Sequence, residues 1–347
     1  MNVATGRARF LAAIIATSAL ALTACQQGSV PDPGPEMANA TPQPSPTATD
    51  PDGRVIELPE EWSEVTDMEH AGGVLALRSG DTLAVGTVED FEAGQAQELD
   101  IDATCGDLTA TGDTFVLACG TQVQLINATD AGQTFRDVSE AAPVTAAALL
   151  SSGELVVGNE EEAEVTVFHG DGDTETISVA SPSTQLISVP VDGRPDAVLR
   201  TNNANTTIQD IDWSTGRQGG TLRVGIGVGQ VAPGSDGLAV VSDTSGSQLA
   251  VYTTDSVVRL HQTAPVDESP WGVAWDEANN LAWIASTTLN TLTAHDLSTG
   301  VPLEAHRLNS VADAHNIVSL PDGTLVAVSA TGDGLQVIDR PTESSPN

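Results

Sequence analysis

One short pattern returns seven times along this chain, and that repetition restricts the fold more than any other feature. A strand-like apolar run follows a tight turn at LAVGT (83–87), FVLAC (115–119), LVVGN (155–159), AVLRT (197–201), LAVVS (238–242), LAWIA (281–285) and LVAVS (325–329). Turn signals such as Ser79-Gly80-Asp81, Thr111-Gly112-Asp113, Ser152-Gly153-Glu154 and Asp322-Gly323 precede most copies, glycine supplying the positive φ of a hairpin. The sixth copy uses Asn279-Asn280 instead, since asparagine also tolerates that conformation. Most copies are about 40 residues apart, the blade length of four-stranded propeller repeats, although the first interval is shorter. A further apolar run and a closing strand follow each copy, as in Leu292–Leu297 and Pro302–Leu308 of the sixth. After the first 25 residues no segment sustains a 3.6-residue period, so helices should be nearly absent.

Seven such units can close radially or stack linearly, and the ends of the repeat region decide between the two. After the run Gly334–Asp339 the last copy has no apolar fourth strand, whereas Arg54–Leu58 (RVIEL) is a strand lying before the first complete copy. Pairing them completes a seventh blade and removes exposed sheet edges. The expected fold class is therefore all-β: a seven-bladed β-propeller over residues 54–340, its ring closed by an N-terminal strand, with a disordered tail at 341–347.

The segment before the repeats has a different character. Residues 1–25 read as an export signal: Arg7 and Arg9, an apolar run from Phe10 to Leu22, then small residues, the run being too short to span a bilayer stably. Leu22-Thr23-Ala24-Cys25 has the form of a lipobox, in which the cysteine thiol is acylated and becomes the new N-terminus, so Cys25 is the expected lipidation site. Its diacylglycerol and palmitate-type chains would hold the protein to membrane lipid by burying methylenes at about 0.8 kcal/mol each. Residues 26–53 are rich in Pro, Thr, Ser, Ala and Gln and read as a disordered tether. The expected location is the outer face of the cytoplasmic membrane.

Charge narrows the partners. Asp and Glu number 48 against 12 Lys plus Arg, a formal net charge of −36, and no lysine occurs anywhere. P-loop phosphate binding, Schiff-base catalysis and serine-lysine hydrolysis are thereby excluded, and no basic face exists to bind nucleic acid. Gly227–Ala232 (GVGQVA) imitates a dinucleotide fingerprint, but Pro233-Gly234 follows at once and forbids the helix it needs. The acidic runs Asp171–Glu175 and Glu160–Glu162 read as solvated turns.

The sixth copy, PWGVAWDEANNLAWIA (270–285) with DLSTG (296–300), resembles the YVTN-type family of seven-bladed propellers. The layout of lipobox, Pro/Thr tether and lysine-free propeller is similar to actinobacterial prolipoproteins of the LppL type. That resemblance implies location and shape, and no activity.

Two chemistries remain. Cys105 and Cys119 lie seven residues either side of Gly112, so a predicted hairpin sets them opposite each other, and export to an oxidising compartment favours a disulfide. The innermost strand of each blade lines the channel, and the residue about eight to ten positions before each hairpin turn gives His70, Thr104, Thr145, Gln185, Gln230, Trp271 and His315 as ligand candidates. His70 and His315 fall on blades that become neighbours when the ring closes; with Asp313 they form a candidate divalent-metal set, set against a water-filled channel in which they are structural. No catalytic residue and no cofactor is assigned. The expected function is a non-catalytic binding or scaffolding module with an envelope protein or small ligand as partner; the alternative is a lactonase-like metal-dependent hydrolase or a metal-binding protein.

Overall fold

The computed structural model describes residue 37 and residues 39–141, 143–339 and 341–342. The signal segment, Cys25, the first part of the tether and the end of the tail lie outside the described residues.

Seven four-stranded antiparallel sheets make up the fold. Their inner strands are Asp67–Ala71, Leu108–Thr111, Ala146–Leu149, Gln185–Val189, Val228–Pro233, Pro270–Asp276 and Ala314–Ser319, defining blades 1 to 7. Each packs beside the next, and the last returns to the first. This is a closed seven-bladed β-propeller. Because the strands alternate in direction, the loops entering the inner strands share one face of the ring, here the entry face, with the loops joining second to third strands.

Arg54–Ile56 supplies the fourth strand of blade 7, running antiparallel to Leu335–Ile338 with Arg54 opposite Val337 and Ile56 opposite Leu335. Gln336 Nε2 donates to the Asp52 carbonyl at 2.8 Å and Arg54 pairs with Asp339 at 2.7 Å, fixing the register at both ends of the short ladder. Closure is therefore by the expected strand.

The sequence pattern explains the layering. Middle strands are buried on both faces because each sheet is covered by a blade on either side, so they read as continuous apolar runs such as LVVG and LVAVS. Met68, Leu75 and Leu77 of blade 1 thus pack with Val318, Val326, Val328 and Leu335 of blade 7. Outermost strands such as Gln133–Asp137 and Thr174–Ser178 are mostly exposed. In blade 6 the buried Asp276 accepts from the Asn279 N–H at 3.0 Å and from Trp283 Nε1 at 3.3 Å, which accounts for the aspartate, asparagine and tryptophan of the sixth copy.

Two expectations need correction. LAVGT at 83–87 belongs to the third strand of blade 1, Thr82–Gly86; the second is Val74–Ser79, preceded by Gly72 and Gly73, both at positive φ. With that alignment the interval to the next second strand, which begins at Thr114, is 40 residues (114 − 74), and the apparent shortening disappears. Helix is nearly absent, as expected: among the described residues the one α-helix is Val88–Ala93, started by a capping box between Thr87 and Asp90 and ended by Gly94 in the left-handed region.

The second concerns the tether. Its described part does not hang free: Ala40 is buried, the Gln43 N–H donates to Ser269 Oγ at 2.8 Å, and Asn290 Nδ2 donates to the Pro46 carbonyl at 2.8 Å. The Asp52 N–H donates to the Asn309 carbonyl, and the Asn309 N–H donates back to the Asp52 carboxylate. Residues 40–52 therefore form a strap across the entry face of blades 6 and 7. A proline-rich strand loses little entropy on being held extended, and its unpaired backbone groups are free to meet side-chain partners.

Candidate functional site

The inner strands enclose a channel cavity of about 230 Å³. Its walls mix polar and apolar side chains, the polar and aromatic ones including Asp67, Glu69, His70, Asp107, Gln185, Gln230, Trp275, His315, Asn316 and Ser319.

Four of the seven expected channel residues line this cavity: His70, Gln185, Gln230 and His315. Gln185 Nε2 donates to Gln230 Oε1 at 2.8 Å, joining blades 4 and 5 across the channel wall. Trp271 stands beside the cavity, its ring 6.3 Å from that of His315 at an interplanar angle of 50°. A register shift between Pro270 and Val273 separates it from Trp275, which lines the cavity and donates to Glu277 Oε2.

The other two positions differ. Thr104 is exposed in the turn before blade 2, where its N–H and hydroxyl bond to Asp102 Oδ1. Thr145 precedes the inner strand of blade 3, its carbonyl accepting the Asp107 N–H at 2.9 Å. The channel residue of blade 2 is Asp107. Its position matches Asp67: each stands five residues before a positive-φ glycine, Gly112 and Gly72. That D-x-x-x-x-G repeat at 40-residue spacing was the available signal, obscured because the first copy was aligned one strand too late.

Asp67, Glu69 and Asp107 make one wall acidic. Each keeps some exposed area, but that area faces only the narrow channel, so all three are effectively surrounded by protein. Burial, reinforced by the charge of Asp67, pushes the Glu69 carboxyl up to about 8. Burial also raises Asp67 and, helped by the charges of Asp67 and Glu69, holds Asp107 well above the carboxylate range. Asp67 is partly compensated, accepting the Leu108 N–H at 2.9 Å. The nearby cation, Arg78, spends its guanidinium N–H groups on the carbonyls of Gly106 and Cys105 at 2.5 and 2.6 Å.

Those carbonyls belong to the disulfide loop. Cys105 and Cys119 are bonded, with Cα atoms 4.1 Å apart, as expected. Cys105 lies just before the strand that begins at Leu108, and the Gly106 N–H, donating to the Ala118 carbonyl at 2.7 Å, brings it opposite Cys119.

The candidate metal set is not assembled. Asp313 Oδ1 accepts the Ser45 N–H and Asp313 Oδ2 accepts the Thr331 hydroxyl, both at 2.8 Å, while His315 Nε2 stands 3.9 Å from Asp313. Among the described residues no three His, Cys, Asp or Glu side chains converge as metal ligands. Burial lowers the affinity of His70 and His315 for a proton. The cavity does hold polar atoms with no hydrogen-bond partner among the described residues: His70 Nδ1, His315 Nε2, Asn316 Nδ2 and Ser319 Oγ.

No family model and no curated protein matches the chain. Solved structures share its architecture. It is similar to a chain of the mitotic checkpoint complex (TM-score 0.63, 14% identity, covering 95% of this chain and 98% of that one). It is also similar to streptogramin B lyase (0.64, 13%, covering 82% and 96%) and to U3-55K (0.66, 10%, covering 85% and 99%). At such identities the likeness concerns the fold alone.

Proposed function

We propose that this protein is an exported lipoprotein, anchored through acylated Cys25 to the outer face of the cytoplasmic membrane, whose propeller binds a small polar ligand without transforming it. The residues at 1–25 support the anchor. The binding reading rests on one observation, the unpartnered polar atoms of His70, His315, Asn316 and Ser319 around a single cavity. Buried polar groups are normally paired, and a ligand's complementary groups would satisfy these. A metal-dependent hydrolase has less support, because Asp313 is engaged by the strap and by Thr331. The fold is shared both by a named lyase and by a chain of a checkpoint assembly, so it favours neither catalysis nor scaffolding.

The test is to incubate the full chain in detergent with a small-molecule extract of envelope and cytosol and read retained mass by native mass spectrometry. A stoichiometric adduct, released chemically unchanged and lost in Asn316→Leu and Ser319→Leu, supports the reading. Release of an altered molecule, or no retention at all, overturns it. Acyl mass on Cys25, and release of Cys25→Ala from membranes, check the anchor.

A further inference from the structure

The acidic wall and the unpartnered atoms share one cavity, and their chemistries are complementary. Asp67 and Glu69 of blade 1 and Asp107 of blade 2 line the cavity with three carboxyl groups, and Arg78 is the one cation acting on them, so at least two of the carboxyls have no cation of their own. No lysine exists to balance them. On the adjoining blade 7, Asn316 and Ser319 are each about 95% buried and line the same cavity with Asn316 Nδ2 and Ser319 Oγ unpaired. These are neutral groups with hydrogen bonds to offer and no charge to neutralise.

Resting on the binding reading above, we propose that the ligand of this channel is a small organic cation, a protonated amine or guanidinium, held by Asp67, Glu69 and Asp107 and oriented through a polar substituent by Asn316 and Ser319. Three features fix the class. A metal ion needs its ligands to converge, and these do not. An anion would face carboxyl oxygens and find no free cation, because Arg78 is occupied by the carbonyls of Gly106 and Cys105. The volume of about 230 Å³ lies below that of drug-sized pockets, so the ligand is small. Trp275 adds an aromatic surface in the same cavity, a further feature that suits a cation.

The burial that keeps protons on Glu69 and its neighbours gives the binding a signature. The charged and titratable groups acting on one another here are Asp67, Glu69, Asp107, Glu160, Arg78, His70, Asp313 and His315, and an incoming cation displaces protons from the carboxyls rather than from the histidines, which burial already keeps neutral. Binding therefore releases protons.

Calorimetric titration of the full chain in detergent tests this, with methylammonium, putrescine and agmatine as cationic probes, glycerol and acetate as neutral and anionic ones, and calcium and zinc chlorides as metal probes. The expected result is binding of at least one organic cation, with heats that vary with buffer ionisation as protons are released. Affinity should fall at least about tenfold in Glu69→Gln and in Asp107→Asn, each chosen to preserve side-chain volume. Asn316→Ala should weaken probes with a second polar group more than methylammonium. Failure of every organic cation to bind, binding undiminished in both carboxamide variants, or metal binding in its place would overturn the proposal. If an adduct from extract is retained while no amine or guanidinium binds, the cation class falls and the binding reading stands.

Discussion

Ser45 and Asp313 are hydrogen-bonded twice over a sequence separation of 268 residues: the Ser45 N–H donates to Asp313 Oδ1, and the Asp313 N–H donates to Ser45 Oγ, both at 2.8 Å. The Ser45 hydroxyl also donates to the Thr287 carbonyl at 2.8 Å, so one side chain ties the strap to blades 6 and 7. Ser45→Ala leaves the part-buried Asp313 N–H without a partner and leaves the Thr287 carbonyl only the Asn290 N–H, and should cost about 1–2 kcal/mol. Hydrogen exchange is the direct measurement, and protection should fall at the Gln43, Ser45 and Asp313 amides while the blade interiors keep theirs. Unchanged protection there would mean that the strap is held by something else.

Ring closure depends on a strand of only three residues, whose Ile56 is buried against blades 1 and 7. Ile56→Asp places a charge in that core and should cost about 3 kcal/mol or more. It also frees the edge of Leu335–Ile338, so association should grow with protein concentration in size-exclusion chromatography. Val55→Asp is the control, because Val55 is exposed and the same charge should have little effect.

Reduction of the Cys105–Cys119 bond, which closes a loop of separation 14, should lower unfolding stability by about 3 kcal/mol. Equilibrium denaturation with and without reductant reads this directly. Because Arg78 holds the carbonyls of that loop, reduction should also loosen Asp107, the channel residue two positions beyond Cys105, and weaken any ligand bound there.

Stability should fall as pH rises through the neutral range. Glu69 carries a proton in the folded state up to about 8, whereas an unfolded glutamate loses it at about 4.3, so the folded state binds more protons between those values. Asp67 and Asp107 act in the same direction. The buried His70, His295 and His315 act oppositely, but only below about 6.5, where unfolded histidine takes up protons. The window between about 6.5 and about 8 therefore isolates the carboxyls. Chemical denaturation across it should show falling stability in the parent and a flatter profile in Glu69→Gln, with the variant the more stable at about pH 9.

The channel residues show where a linear reading succeeds and where it slips. Gln185, Gln230 and His315 were found because a fixed offset from a hairpin turn selects the start of an inner strand wherever the turn is rightly assigned. Asp107 was missed, with Thr104 in its place, because the inner strand of blade 2 begins only at Leu108, after the disulfide turn. In blade 1 the same offset, counted from Gly80 instead of Gly72, still reached His70 but passed over Asp67 as the opening residue. The metal set failed for another reason: Asp313 and His315 are two residues apart in sequence, yet Asp313 faces the strap, and nothing in the tether's composition revealed that Ser45 would bond to it.

Strand patterning and turn chemistry are local. Alternation of apolar runs with Gly and Asn turns was therefore enough to establish seven blades, the closing strand and the pairing of Cys105 with Cys119, since each follows from spacing along the chain. The acidic wall, the placing of Asn316 and Ser319 in the same cavity, and the seating of the strap are sums over residues from different blades. Desolvation and unmet hydrogen bonds depend on which groups surround a side chain in space, and only closing the ring brings those groups together.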